Sequence, residues 1–111
     1  MLQANDIQHR FHLVTQAIGQ AAQACSGERD LPSELRDCVQ RLDRQSDAMR
    51  EVLFSKDEPL LHKQVNEMDR LAERARQVCV NIPRLSPQMR GAVSYMHSQI
   101  TELKRDMRIS P

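Results

Sequence analysis

Residues 86–107 read SPQMRGAVSYMHSQITELKRDM, and their apolar stripe falls at Met89, Val93, Met96, Ile100, Leu103 and Met107. Steps of four and three stack these side chains on one face of an α-helix. Ser86 can accept from the free amides of a first turn, and Pro87 in that turn loses only an N–H that has no helical partner. The stretch therefore predicts a helix over 87–108, with a tail beyond Arg108. A single apolar stripe must be covered by something of similar length.

Three other stretches supply that cover. Ile7, Phe11, Val14, Ile18, Ala21 and Cys25 keep the same beat. So do Leu35, Cys38, Leu42, Gln45, Met49 and Val52, with one polar member, and Leu61, Val65, Met68, Ala72, Ala75, Cys79 and Ile82. The helices they predict run over 5–26, 31–54 and 59–81. Asn5 or Asp6 can cap the first, and Gly27 can end it in a left-handed conformation. Asp30 is placed to cap the second, with Pro32 in its first turn. Ser55 and Glu58 have capping-box spacing, Asp57 competes as a cap, and Pro59 moves the start of the third helix to about its own position. Pro83 prevents that helix from continuing.

Four matched stripes joined by short connections define an all-α, antiparallel up-down-up-down four-helix bundle with coiled-coil-like heptad packing. It forms one domain over residues 1–111, with the first and third helices diagonal. Gln45 interrupts a core series. It either fixes register or turns to the rim, and the rim is the simpler reading. Met49, Met68, Met89, Met96 and Met107 lie on the stripes and read as core filling, although methionine surfaces can also accommodate several partners.

Net charge is +1, from 16 basic and 15 acidic residues, which argues against a nucleic-acid partner. The connection from Asn81 to Ser86 is too long, and its flanking helices too long, for a DNA-reading helix-turn-helix. No apolar run approaches the ~18 residues of a membrane span, and no secretory leader is legible, so no membrane partner is expected. The chain has three cysteines, an odd number, and all lie on apolar stripes, which suits a reducing, cytoplasmic setting.

No reaction signature is present. The stripes carry no carboxylate, and the chain has no Glu-x-x-His, so a di-iron centre is not expected. Cys25, Cys38 and Cys79 form no Cys-x-x-Cys pair for zinc, and Cys25 and Cys38 lie too far apart along their helices for a disulfide. There is no Gly-x-Ser-x-Gly and no phosphate-cradling glycine loop. The expectation is a protein that is not an enzyme and carries neither metal nor cofactor.

One surface departs from the ordinary. From Phe11 to Gly27 there is no Asp, Glu, Lys or Arg, whereas the second and third helices alternate acid and base along their outer faces. Interfaces are depleted of charge at their centres, and small residues admit a close helix. Thr15, Gln16, Gly19, Gln20, Ala22 and Gln23 are therefore the candidate interface, most simply with a second copy about a two-fold axis. The competing explanation is helix propensity, which also favours alanine and glutamine. The functional expectation is a small cytoplasmic interaction or adaptor protein that self-associates as a homodimer through its first helix. One alternative is a helical export chaperone that binds a client helix. The other is a histidine phosphotransfer-type signalling bundle, although the residues after His12, His62 and His97 do not fit that pattern.

Overall fold

Three short connections divide the chain into four helices. The computed structural model describes residues 4–55 and 57–107, and these form α1 (Ala4–Gly27), α2 (Ser33–Ser55), α3 (Glu58–Val80) and α4 (Pro87–Asp106). This is the all-α four-helix bundle that the stripes require, with no strand among the described residues. Arg108 and the tail 109–111 lie outside the described residues.

The best-defined start is that of α4. Ser86 is its N-cap, with its hydroxyl accepting from the Met89 amide at 3.1 Å and Pro87 in the first turn. Asp57, rather than Ser55, caps α3, accepting from the Leu60 amide at 3.2 Å. The Ser55 hydroxyl instead turns back to the Val52 carbonyl at 2.8 Å and closes α2. Glu58 is thus already helical, one residue ahead of the expected start, because Pro59 still falls within the first turn.

Other boundaries also move. Helix α2 starts at Ser33 rather than 31, since the Pro32 carbonyl accepts the first bond, from Arg36 at 3.2 Å. Helix α1 is already helical at Ala4, so Asn5 and Asp6 lie inside it, and its N-cap falls outside the described residues. At its other end Gly27 is helical and does not take a left-handed φ. A tighter bond from the Glu28 amide to the Cys25 carbonyl, 3.3 Å, closes the helix there. Helix α3 ends at Val80, with Asn81 as its C-cap, and α4 ends at Asp106.

Polar contacts between helices show the pairing. Glu34 meets Arg74 at 2.5 Å and Gln45 meets Gln64 at 2.6 Å, so α2 and α3 run antiparallel. Asp69 meets Lys104 at 3.1 Å, linking α3 to α4, and Arg10 meets Glu102 at 2.8 Å, linking α1 to α4. Helix α1 packs on α4 and α2, and α3 packs on α2 and α4. No Cα pair across the α1/α3 or α2/α4 diagonal lies within 8 Å.

The four stripes meet in the middle. Every stripe residue is buried except Ile7, Gln45, Val52, Ile82 and Met107, which are half-buried. Met49, Met68, Met89 and Met96 are fully enclosed and fill the core. Gln45 sits at the rim, donating to Gln64 and, at 3.1 Å, to Glu67. Its neighbour Ser46 is the buried polar residue among those described. Ala17, Val39 and Leu85 join the core from outside the heptad series. The body measures 41 × 22 × 18 Å, and a helix of 24 residues at about 1.5 Å per residue accounts for most of its length.

Candidate functional site

Helix α1 is pinned in rotation by Val14, Ile18 and Ala21, all fully buried. With those residues pointing inward, His12, Gln16, Gly19, Gln20, Gln23 and Gly27 are exposed. The six residues singled out by the sequence do not all share one setting. Gln16, Gly19, Gln20 and Gln23 face solvent. Thr15 is half-buried in a groove with His12, Arg50 and Leu53, and its hydroxyl donates to the Phe11 carbonyl at 3.0 Å. Ala22 is half-buried against the core. The available face of α1 is therefore narrower than the uncharged stretch of sequence.

That face continues on α4. The exposed residues of α4 from Pro87 to Thr101 are Pro87, Gln88, Gly91, Ser94, Tyr95, Ser98 and Thr101, and none carries a charge. Arg90 is the one formally charged residue in this span, and it is drawn aside to donate to the Ile82 carbonyl at the α3–α4 turn. Between the two helices lies a groove of about 510 Å³ lined by Gln20, Gln23, Ala24, Pro87, Gln88, Gly91, Ala92 and Tyr95, again without a charge. Tyr95, 43% exposed, forms one wall. The Gln99 side-chain oxygen, one turn further along α4, is buried without a hydrogen-bond partner.

Charge closes the face at one end. Arg10 bridges Glu102 at 2.8 Å and Asp106 at 3.1 Å. At the other end the Ser86 hydroxyl donates to Glu28, and Arg36 donates to the Glu28 carbonyl at 3.1 Å. The opposite side of the bundle is different in kind. The groove between α2 and α3 is lined by Glu34, Asp37, Arg41 and Arg74 among others. The molecule thus has a charged α2/α3 side and an uncharged α1/α4 side.

Several titratable groups elsewhere are held in structural pairs. Arg76 donates twice to Glu73, at 2.7 and 3.2 Å, and His97 lies 2.7 Å from the same carboxylate. The Arg76 hydrogen bond holds the Glu73 carboxyl below its ordinary value. His97 therefore faces an acid and is only partly exposed. Burial pushes the thiols of Cys25, Cys38 and Cys79 above the usual cysteine range, so they are poor nucleophiles at neutral pH. All three are free. Cys25 and Cys79 sit at the same end of the bundle but across its diagonal, beyond the ~7 Å Cα separation that a disulfide tolerates. Among the described residues, no three His, Cys, Asp or Glu side chains gather as a metal site. No helix there is long and apolar enough to cross a membrane.

The α4 half of the face is what sequence reasoning missed. Its signal was present, since positions 87, 88, 91, 94, 95 and 98 all lie off the Met89–Met107 stripe and are uncharged. Arg90 and His97 within the same span obscured it. No family model, curated protein or solved structure matches the chain.

Proposed function

We propose that this protein is a small helical interaction module, cytoplasmic and without catalytic activity, that self-associates through α1 together with the adjoining surface of α4. The observation that carries this reading is the unbroken uncharged face from Gln16 to Gly27 and from Pro87 to Thr101, on a bundle whose other side is studded with acids and bases. Water solvates charged side chains well, and surface helices ordinarily display them. A face without them exchanges little hydration for protein contact. Three free, buried thiols fit a reducing compartment.

A groove for a client helix is less well supported. The exposed large apolar side chains among the described residues are Leu60, Val80 and Tyr95. Leu60 and Val80 stand at opposite ends of α3, roughly 30 Å apart at 1.5 Å per residue, and so do not form a continuous apolar track.

The experiment is absolute mass by light scattering over a hundredfold range of concentration, for the native chain and for Gln16→Glu and Gln20→Glu together. The native chain is expected to approach twice 12.8 kDa, and the double variant to remain at the monomer mass. Equal masses for both at every concentration would remove the face from the reading.

A further inference from the structure

We infer that the partner on this face is a second copy of the chain related by a two-fold axis, with Tyr95 of each copy seated in the α1/α4 groove of the other. This rests on the self-association reading above and specifies its geometry. Tyr95 is the chain's one tyrosine, and it stands exposed on the rim of the groove. Tyrosine is among the residues enriched at interface hot spots, where its ring packs and its hydroxyl finds a partner.

The socket lies one helical turn away. Gly91 is part of its lining, and a Cβ built there meets nothing within 4 Å, so the groove is open at that point. Ala24 and Ala92 are short apolar residues of the same groove, and Gln20, Gln23 and Gln88 bring amides that can pair with a phenol hydroxyl. Its volume, about 510 Å³, accommodates a phenol ring. Because anchor and socket are neighbours on one surface, a single two-fold axis between them completes both insertions at once. Residue i of one copy then meets residue j of the other, and the reverse, as an isologous contact requires.

Charge favours a copy over a foreign partner. Near a two-fold axis every residue faces itself or a close neighbour, so a charged face would repel its own image. This face has no charge to repel, and each glutamine amide carries both a donor and an acceptor for its counterpart. The face is also large enough to be covered by a copy. The exposed uncharged residues of α4 run from Pro87 to Thr101, about 21 Å at 1.5 Å per residue, and the bundle is 22 Å wide. That gives about 500 Å² per copy, or about 1,000 Å² in all, the lower bound for a specific interface. An interface of this size is at the small end for a specific complex, so the dimer should be reversible and depend on concentration.

The chain has one tyrosine and no tryptophan, so tyrosine emission reports on this site alone. The test measures quenching of that emission by acrylamide beside light scattering on the same dilution series of the full chain. The expected result is that Tyr95 becomes protected in step with the rise in mass. Tyr95→Ala removes both insertions and should weaken association by at least about thirtyfold, the effect of losing a single aromatic hot spot. Gly91→Leu, which fills the socket while keeping the anchor, should weaken it comparably. A dimer in which Tyr95 is as quenchable as in the monomer, or which Tyr95→Ala leaves intact, overturns this geometry and leaves self-association standing. A chain that stays monomeric throughout overturns both.

Discussion

Replacing Gly91 with alanine should push the stability of the monomer and the strength of its association in opposite directions. Gly91 is the fifth residue of α4, past the first turn, and it is exposed. A Cβ there meets no atom within 4 Å, so the methyl group adds no clash in the monomer. Alanine restricts the unfolded chain and favours the helix over glycine by about 0.8–1 kcal/mol. For a chain of 111 residues that corresponds to a rise in Tm of about 3–4 °C. Gly19, in the middle of α1, is equally exposed and equally unobstructed, and its alanine variant should gain a similar amount. The two sites lie on different helices, so the double variant should gain about 1.5–2 kcal/mol. The assay is urea unfolding followed by far-ultraviolet circular dichroism, at concentrations where the monomer prevails. Association, read by light scattering on the same samples at higher concentration, should weaken for Gly91→Ala, because the methyl group intrudes into the socket. Lower monomer stability would refute the open-space argument. Stronger association of a more stable Gly91→Ala variant would refute the placement of a tyrosine over Gly91.

Three further outcomes follow from the core and the ion pairs. Leu42 is wholly buried, and Leu42→Ala should cost about 2–5 kcal/mol in urea unfolding, a large share of the 5–15 kcal/mol typical of a domain; a loss below about 1 kcal/mol would mean the core collapses around the cavity. Cys25, Cys38 and Cys79 are buried with their thiols pushed up, so an aromatic disulfide reagent should label none of them in the native protein at neutral pH and all three in denaturant; rapid native labelling of any one would show that its site opens. Glu73 has its pKa lowered by Arg76, so its contribution is present above the ordinary carboxylate value of 4.5 and is lost as pH falls through the lower folded value. Glu73→Gln should accordingly flatten the acid side of the stability–pH curve below about pH 4.5, modestly because the carboxylate is 37% exposed and screened, and an unchanged acid limb would refute the pairing.

Much of the fold was legible because helical periodicity is a local property. Met89, Val93, Met96, Ile100 and Leu103 are buried where their spacing put them, and Ser86 with Pro87 begins α4 where cap chemistry put it. Gln45 lies on the rim as expected, and the positions that spacing left open or misplaced were set by packing. Gln45 and Ser46 are adjacent and both polar, yet the helix rotation that buries Leu42 and Met49 sends Gln45 to Gln64 on the rim and encloses the smaller Ser46. Ala17 lies outside the heptad series and is buried because α1 packs against α4 on that side. Gly27 was readable as a left-handed terminus, but the tighter Glu28-to-Cys25 bond ends the helix without one.

The candidate face divides along the same line. An uncharged first helix is a property of consecutive residues, and the order of amino acids alone determines it. Whether Thr15 and Ala22 belong to that face, whether Arg90 interrupts it, and whether α4 extends it depend on how each helix is turned about its axis and which neighbour it meets. Thr15 and Ala22 lean into the bundle, Arg90 is drawn to the Ile82 carbonyl, and α4 lies beside α1. Four amphipathic helices and their inward stripes are readable from the order of residues alone, since they follow from contacts three and four residues apart. Only the tertiary structure joined two separate uncharged stretches, about seventy residues apart in the chain, into one surface with Tyr95 at its edge, because that depends on long-range packing that no local spacing encodes.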